Sequence, residues 1–485
     1  MPNAVPPHFI VIVPGYMGSK LRDPQESDPN KLVWIDFQSI PANPLRWDDW
    51  LNDLFAKLTY PYPLAPAGVV EELLVVLPWA KMEHYGRLLK FLAGLGYRTD
   101  PVRYNETERD VYTFSYDWRQ DNRISARQLA EAVERWSHYH PGAKAWLIGH
   151  SNGGIVSRWY IEKEGGKDRV GRNFLMASPL DGAPKAIGMI TKGLEMMFRR
   201  GFNAFGLKER SIDLVRSFPS LYNLVPMRHP FLTDGAGQTI DPYVNLDYLA
   251  NEEQRQMMAD AKRFNEDLGT TYSVETLCFF GRKVETTTGG VVRLGPGGKW
   301  EDIEWVRTTA GDGTVPEFSA LHPGAHEKFP FIATHGDIYV VPPVQEFLQW
   351  ELRDRYLGGS RASLTTSSYQ IIFEPDKDVY DPGESIGLWT TIHTVADGKP
   401  VSRASITAKL VWRQALPGLD EPGRTPAVLE IDLRERPDQP GRYEGVLAAP
   451  QQEGYYQIKA SIAIPGQRSL GLEELVAVEG MPAIN

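Results

Sequence analysis

Cysteine is almost missing from this 485-residue chain: Cys278 stands alone, so no disulfide can form within it. An oxidising compartment therefore leaves no mark on the sequence. Long apolar runs are missing too. The first, Phe9 to Val13, is too short for a secretory leader and has no basic flank, and no run approaches the ~20 residues needed to span a bilayer. These absences lead to the expectation of a cytoplasmic protein. A basic excess is also lacking. Lysine and arginine number 52 against 62 acidic residues, for a net charge of −10. That disfavours nucleic acid as a partner, because sequence-independent binding needs a basic surface, and it supplies no global attraction to anionic lipid.

What is present reads as two parts, as a chain too long for one ordinary core should. Phe9-Ile10-Val11-Ile12-Val13 is a short buried strand stopped by Pro14-Gly15. Residues 22–65, rich in Pro, Asp and Trp, read as an irregular excursion. Helices are expected over 85–95, with Tyr85, Leu88, Leu89, Leu92 and Leu95 on one face, and over 125–136, with Ser125 as the cap. Strands are expected at 111–114, 145–148, 173–177 and 274–280, and a glycine-containing hairpin after them. Strands alternating with helices at this spacing predict a parallel α/β sheet. The alternation breaks over 185–270, which read as a mostly helical insertion, and a closing helix is expected over 344–356.

Composition then shifts. Residues 358–368 form a polar linker, and from 369 to 485 short strands alternate with turns such as Asp381-Pro382-Gly383 and Asp397-Gly398. The pattern predicts a β-sandwich of roughly a hundred residues, the size of an immunoglobulin-like module. The catalytic part is thus expected over 1–357.

Gly149-His150-Ser151-Asn152-Gly153 carries the chemistry. It sits between the apolar run Ala145 to Ile148 and a helix-like stretch, the strand–turn–helix setting of a nucleophile elbow. Small residues on both sides of the serine let the backbone turn sharply. A serine nucleophile needs a base, and the base an orienting carboxylate. Downstream, Gly311-Asp312-Gly313-Thr314-Val315-Pro316 sets Asp312 in a tight turn, and His322, His326 and His335 follow. His335 is the better base, since it follows the apolar stretch Phe331 to Thr334, whereas His322-Pro323-Gly324 reads as a turn. The oxyanion hole needs two backbone N–H donors. Asn152, next after the nucleophile, supplies one. Tyr16, in the loop Pro14-Gly15-Tyr16-Met17-Gly18, supplies the other.

These pieces resemble the lecithin:cholesterol acyltransferase-like family of α/β hydrolases, which includes lysosomal phospholipase A and phospholipid:diacylglycerol acyltransferases. The matching residues are Val13 to Leu21, Trp34-Ile35-Asp36, Tyr116-Asp117-Trp118-Arg119, Gly149 to Gly154, Asp312 to Pro316 and His335. The resemblance spans about residues 8–350. It implies an α/β-hydrolase fold with a lid matching the 185–270 insertion and a Ser151–Asp312–His335 triad. Tyr16 and Asn152 would form the oxyanion hole, and Met17 and Arg119 are candidate substrate contacts. Eukaryotic members of the family are secreted or membrane-bound and carry disulfides, whereas this sequence has a single cysteine and no run long enough to span a bilayer, and the C-terminal sandwich lies outside the family pattern.

The expectation is a serine hydrolase of lipid or other acyl esters that uses no metal or organic cofactor. Transfer to an alcohol acceptor is the alternative, and a dead scaffold whose sandwich binds a partner is the rival of another class. The Met/Phe cluster at Met189, Met196, Met197, Phe198, Phe202 and Phe205 is either the buried face of lid helices or a lipid-facing lid touching membrane. A His322/His326 metal pair is a weak signal. Asp376, Asp378, Asp381 and Glu384 lack calcium-loop spacing and read as solvated turn residues, and Cys278 reads as inert core.

Overall fold

A computed structural model describes residues 8–28, 30–34, 46–71, 85–196, 207–354, 363–365, 369–376, 379–394, 399–415, 422–423, 426–465 and 469–478. The chain divides into two compact units, residues 1–341 and 342–485.

The first unit is built on six strands: β1 (His8–Val13), β2 (Val111–Thr113), β3 (Lys144–His150), β4 (Val170–Met176), β5 (Glu275–Arg282) and β6 (Glu327–Ile332). They form one parallel sheet in the order β6-β5-β4-β3-β1-β2. All six β1 residues are buried. That is why the strand is continuously apolar rather than alternating: a parallel sheet is covered on both faces. At its start, the His8 ring stacks on Trp146 at 3.7 Å and its Nε2 meets the Tyr97 hydroxyl at 2.8 Å. Burial, helped by the positive charge of Arg172, lowers the His8 pKa from 6.5 to about 3. The unfolded chain therefore binds a proton that the native state refuses between pH 6.5 and 3, and stability falls as pH drops through that window. His8→Gln should flatten this slope in denaturant melts at stepped pH; an unchanged slope would count against it.

Helices Asn122–Ser137 and Asn152–Lys163 make the crossovers on either side of β3. The first begins four residues earlier than its Ser125 cap predicts. Asp121 is the cap instead, its carboxylate accepting from the Arg123 N–H at 2.8 Å. The 22–65 excursion is also more regular than its composition suggests. It contains the helix Trp47–Leu58, and the strand Ser19–Arg22 pairs antiparallel with Ala65–Val69. Between β4 and β5 lie the helices Pro184–Lys192, Leu207–Arg216, Pro219–Asn223 and Glu252–Leu268, the expected helical insertion. Met189 is buried there and Met196 packs partly buried against the core, while Met197, Phe198, Phe202 and Phe205 lie outside the described residues. The hairpin turns at 295–299, between Thr286–Leu294 and Trp300–Thr308. Gly289 and Gly290 lie inside its first strand, where a Cβ on Gly289 would sit 2.6 Å from the Phe231 carbonyl oxygen.

The second unit opens on the helix Pro342–Gln349 and continues into a nine-stranded β-sandwich. Its strand Leu429–Arg436 pairs with Ser405–Gln414 along its first part and with Gln439–Ala448 along its last, so the sheet curls into two layers. Inward residues such as Ile386, Leu388, Leu410, Tyr456 and Ile458 fill the space between. Ser363–Thr365, inside the expected linker, pairs with 370–372. Among the acidic turn residues, Asp376 accepts from the Tyr380 hydroxyl and the Gly387 N–H, and Glu384 from the Asp381 N–H. Asp378 lies outside the described residues. Among the described residues no helix is long and apolar enough to cross a membrane.

Candidate active site

In an open parallel sheet the loops at the carboxyl ends of the strands converge at one edge. The candidate residues all come from that edge. Ser151 follows β3 directly, at φ 52° and ψ −126°, a left-handed conformation held at a cost of about 1–3 kcal/mol. What holds it is local. The Ser151 N–H bonds the Met176 carbonyl of β4 at 2.9 Å, and the Gly154 N–H bonds the Ser151 carbonyl at 3.0 Å. A Cβ on Gly149 would lie 2.7 Å from the Gly154 Cα, and one on Gly153 would collide with the Val13 carbonyl oxygen. The two glycines are there because backbone occupies the space.

Asp312 reaches the same edge by a return. After β5 the hairpin carries the chain away and back, and the Lys283 and Val284 N–H groups bond the Thr309 and Gly311 carbonyls at 2.7 and 3.0 Å. Gly281 makes room, since a Cβ there would lie 2.6 Å from the Asp312 Cβ. Asp312 Oδ1 accepts from the Thr314 and Val315 N–H groups at 2.9 and 2.7 Å. That leaves Oδ2 for His335 Nδ1 at 2.9 Å, and His335 Nε2 lies 2.9 Å from Ser151 Oγ. All three residues are buried, Ser151 at 7 % exposure and His335 at 9 %. The arrangement can deprotonate the serine. Nδ1–H donates to the carboxylate, so the Nε2 lone pair faces the hydroxyl.

His322 and His326 are elsewhere. His326 Nδ1 accepts from the Thr276 N–H at 3.2 Å, and His322 is enclosed beside Tyr272. Burial and the charge of Arg158 hold the His322 pKa down at about 3.

Asn152 is the first residue of the helix that follows Ser151, where backbone N–H groups lack helical partners. Its side chain exchanges two 2.9 Å hydrogen bonds with Asn122, whose own N–H bonds the Asn223 side chain of the helical insertion. Across from it, the Pro14–Ser19 loop is tied down at almost every residue. Tyr116 donates its hydroxyl to the Pro14 carbonyl at 2.9 Å, Trp34 its indole N–H to the Met17 carbonyl at 3.0 Å, and Trp118 its indole N–H to the Ser19 carbonyl at 3.2 Å. Met17 is buried at φ 64°, a second strained residue at this edge. The Tyr16 ring packs edge-on against Trp118, and its enclosed hydroxyl has no partner among the described residues; burial pushes that phenol far above its ordinary pKa.

Arg119 is committed elsewhere. Its Nε and Nη2 bond the Asp117 carboxylate at 2.9 and 2.7 Å, and the remaining N–H groups bond the carbonyls of Lys57, Leu58 and Tyr62. No N–H is left for a substrate, so this side chain clamps the 57–62 segment. Arg119→Met would strand Asp117 and three carbonyls in a buried site, and should cost about 3–5 kcal/mol in urea unfolding. A loss below about 1 kcal/mol would contradict the clamp.

Two further residues belong to the site: Tyr85, which no motif marks, and His150, at a variable position of the elbow. The Gly15 N–H donates to the Tyr85 hydroxyl at 2.7 Å, and that hydroxyl meets His150 Nδ1 at 3.0 Å. His150 Nε2 lies 3.0 Å from the His335 carbonyl. A carbonyl only accepts, so Nε2 carries the proton and Nδ1 receives the tyrosine's. One hydrogen-bonded line thus joins the Pro-Gly loop to the backbone of the base.

The sheet order and the serine at a strand–turn–helix corner define an α/β hydrolase. Within that class the chain is similar to the lecithin:cholesterol acyltransferase family, whose model matches residues 72–286. The match includes the elbow and ends before Asp312 and His335. It supports action on acyl esters, by hydrolysis or by transfer. No curated protein matches the chain. Among solved structures, the mature form of the Bacillus licheniformis lipase BlEst2 is 15% identical, over 72% of this chain and 93% of that one, with a TM-score of 0.31. Its propeptide form is 12% identical, over 98% and 94%, with a TM-score of 0.32. The lin2722 product of Listeria innocua is 12% identical, over 71% and 93%, with a TM-score of 0.28. Likenesses this distant speak to neither substrate nor reaction.

Proposed function

We propose that this chain is a serine carboxylic-ester hydrolase of lipid or other acyl esters. The observation that carries the reading is the unbroken line from Asp312 Oδ2 through His335 to Ser151 Oγ, each step 2.9 Å. Ser151 attacks the ester carbonyl as His335 Nε2 takes its proton, and Asp312 stabilises the imidazolium. The backbone N–H groups of Asn152 and Tyr16 receive the oxyanion of the tetrahedral intermediate. His335 then returns its proton to the departing alcohol, and water, deprotonated by the same imidazole, releases the acid from the acyl-enzyme. The helical insertion between β4 and β5 is the lid that covers the acyl chain and touches the lipid surface. The chemistry asks for no metal or organic cofactor.

The test is fatty-acid release from phosphatidylcholine/phosphatidylglycerol liposomes beside a chain-length series of p-nitrophenyl esters, with Ser151→Ala as control. Ser151-dependent release from liposomes, exceeding that from short soluble esters, is the expected result. Turnover of short esters alone would remove the lipid assignment. Turnover that rises when an alcohol acceptor is added, with acylated acceptor formed, would favour the transferase. A chain whose serine fails to label with a fluorophosphonate would be the inactive scaffold.

A further inference from the structure

Arg158 lies two helical turns beyond Ser151 and is 1 % exposed. Among the described residues no carboxylate forms an ion pair with it. Its Nη2 donates to the carbonyls of Gly269 and Thr271, at 3.2 Å each. Its Nε and Nη1 are buried with no partner among the described residues. The guanidinium lies 4.2 Å from the centre of the Tyr272 ring, and that tyrosine's hydroxyl is also buried and unpartnered. The His322 ring centre is 5.4 Å from that of Tyr272, and both its nitrogens are orphaned in the same way. Five buried polar atoms on three neighbouring side chains therefore lack a partner, where native interiors leave almost none.

Charge compounds the problem. Arg228 Nη2 donates to the same Gly269 carbonyl at 3.3 Å, so two guanidinium groups converge on one oxygen. Arg228 has a counter-ion in Asp181 at 3.5 Å. The nearby carboxylates are otherwise occupied: Asp181 also accepts from the Arg228 and His229 N–H groups, and Glu162 from the Ser273 N–H and hydroxyl. The end of helix Glu252–Leu268 offers Arg158 carbonyl dipoles on one side only. A buried cation left otherwise uncompensated is costly.

The orphaned groups are mostly donors: the Nε–H and Nη1–H of Arg158, the Tyr272 O–H and one His322 N–H. An anion satisfies donors without bringing hydrogens of its own, which a water molecule must place. Its kind follows from the guanidinium. Both forks that grip a carboxylate or phosphate bidentately share Nη2, and Nη2 is taken. The Nε–H and Nη1–H point to opposite flanks of the guanidinium, so what remains suits a single-atom acceptor that meets one of them beside the tyrosine and histidine.

We propose that Arg158, Tyr272 and His322 form a buried halide site that takes chloride, separate from the ester chemistry. The ion would tie together the elbow helix, the 269–272 segment leaving the insertion, and the 322–324 turn between Asp312 and His335.

The test uses the full chain. Crystals soaked in sodium bromide should give an anomalous peak within hydrogen-bonding reach of Arg158 Nε or Nη1. In solution, chloride and bromide should raise the melting temperature saturably at ionic strength fixed with gluconate, as a ligand of the native state does. Arg158→Met should lose that rise, and Tyr272→Phe should weaken it; if the first variant does not fold, the second and the bromide peak decide. Water refined in place of bromide overturns the proposal. So does a peak with no saturable rise, which would be an adventitious ion only, and so does a rise given by sulfate but not by halides.

Discussion

Ser151→Ala is expected to cut turnover of any ester the chain accepts by about six orders of magnitude, the scale seen when a serine-protease nucleophile is removed. His335→Ala should fall nearly as far, and the double variant no further, because base and nucleophile act as one unit. The residual rate is what oxyanion donors and binding give without them. Ser151→Ala should keep the melting temperature within a few degrees. Ser151 loses one hydroxyl whose partner is the His335 imidazole, and its strained backbone is held by Met176, Gly149 and Gly153 rather than by its side chain. His322→Ala is the control for the choice of base, and its turnover should stay within a few-fold of the parent. Measured by initial rates on the best p-nitrophenyl ester, a comparable loss at His322, or loss of less than about a hundredfold at His335, would sink the assignment.

Much of this site was legible in the chain because its parts obey local rules. The run Phe9 to Val13, short, β-branched and stopped by Pro14-Gly15, reads as a covered strand, and Gly149 and Gly153 flank a serine because backbone passes through the space a Cβ would need. Asp312 and His335 follow in the order the fold requires, and the structure brings both to Ser151. What stayed hidden depends on contacts between distant segments. Tyr85 reads as one apolar position of a helix, yet its hydroxyl joins Gly15 to His150 across 70 and 65 residues. Asn122 opens a helix in an ordinary way, and nothing local ties it to Asn152. The Tyr-Asp-Trp-Arg segment is visible as a motif, but its role is structural where a substrate contact at Arg119 was expected. Tyr116 and Trp118 hold the Pro14–Ser19 loop, and Asp117 with Arg119 holds residues 57–62. The helix Trp47–Leu58 was missed because prolines and acidic residues around it resemble a loop. Asp121 outranks Ser125 as a cap because it stands where the helix starts.

Asp312→Asn tests the finest part of the arrangement, because it changes one proton and almost no volume. The two carboxylate oxygens of Asp312 have separate tasks. Oδ1 receives two N–H groups, from Thr314 and Val315, and Oδ2 receives the His335 Nδ1 proton. An asparagine has one acceptor oxygen, and two backbone donors compete for it against one imidazole. The amide will therefore place its oxygen toward Thr314 and Val315 and its NH2 toward His335. An NH2 can only donate, so Nδ1 must become the acceptor and the proton must move to Nε2. A protonated Nε2 cannot take the serine proton. Turnover should fall by about four orders of magnitude, as in the protease precedent where the wrong tautomer is locked in. The fold should hold, since every backbone hydrogen bond of the 311–316 turn remains available. Proton NMR of the imidazole separates this from general disorder: the signal from a proton on Nδ1, present in the parent, should vanish while the melt stays cooperative. A variant that kept a tenth of the parent's rate would show that Asp312 only shapes its turn, and that another carboxylate orients the base.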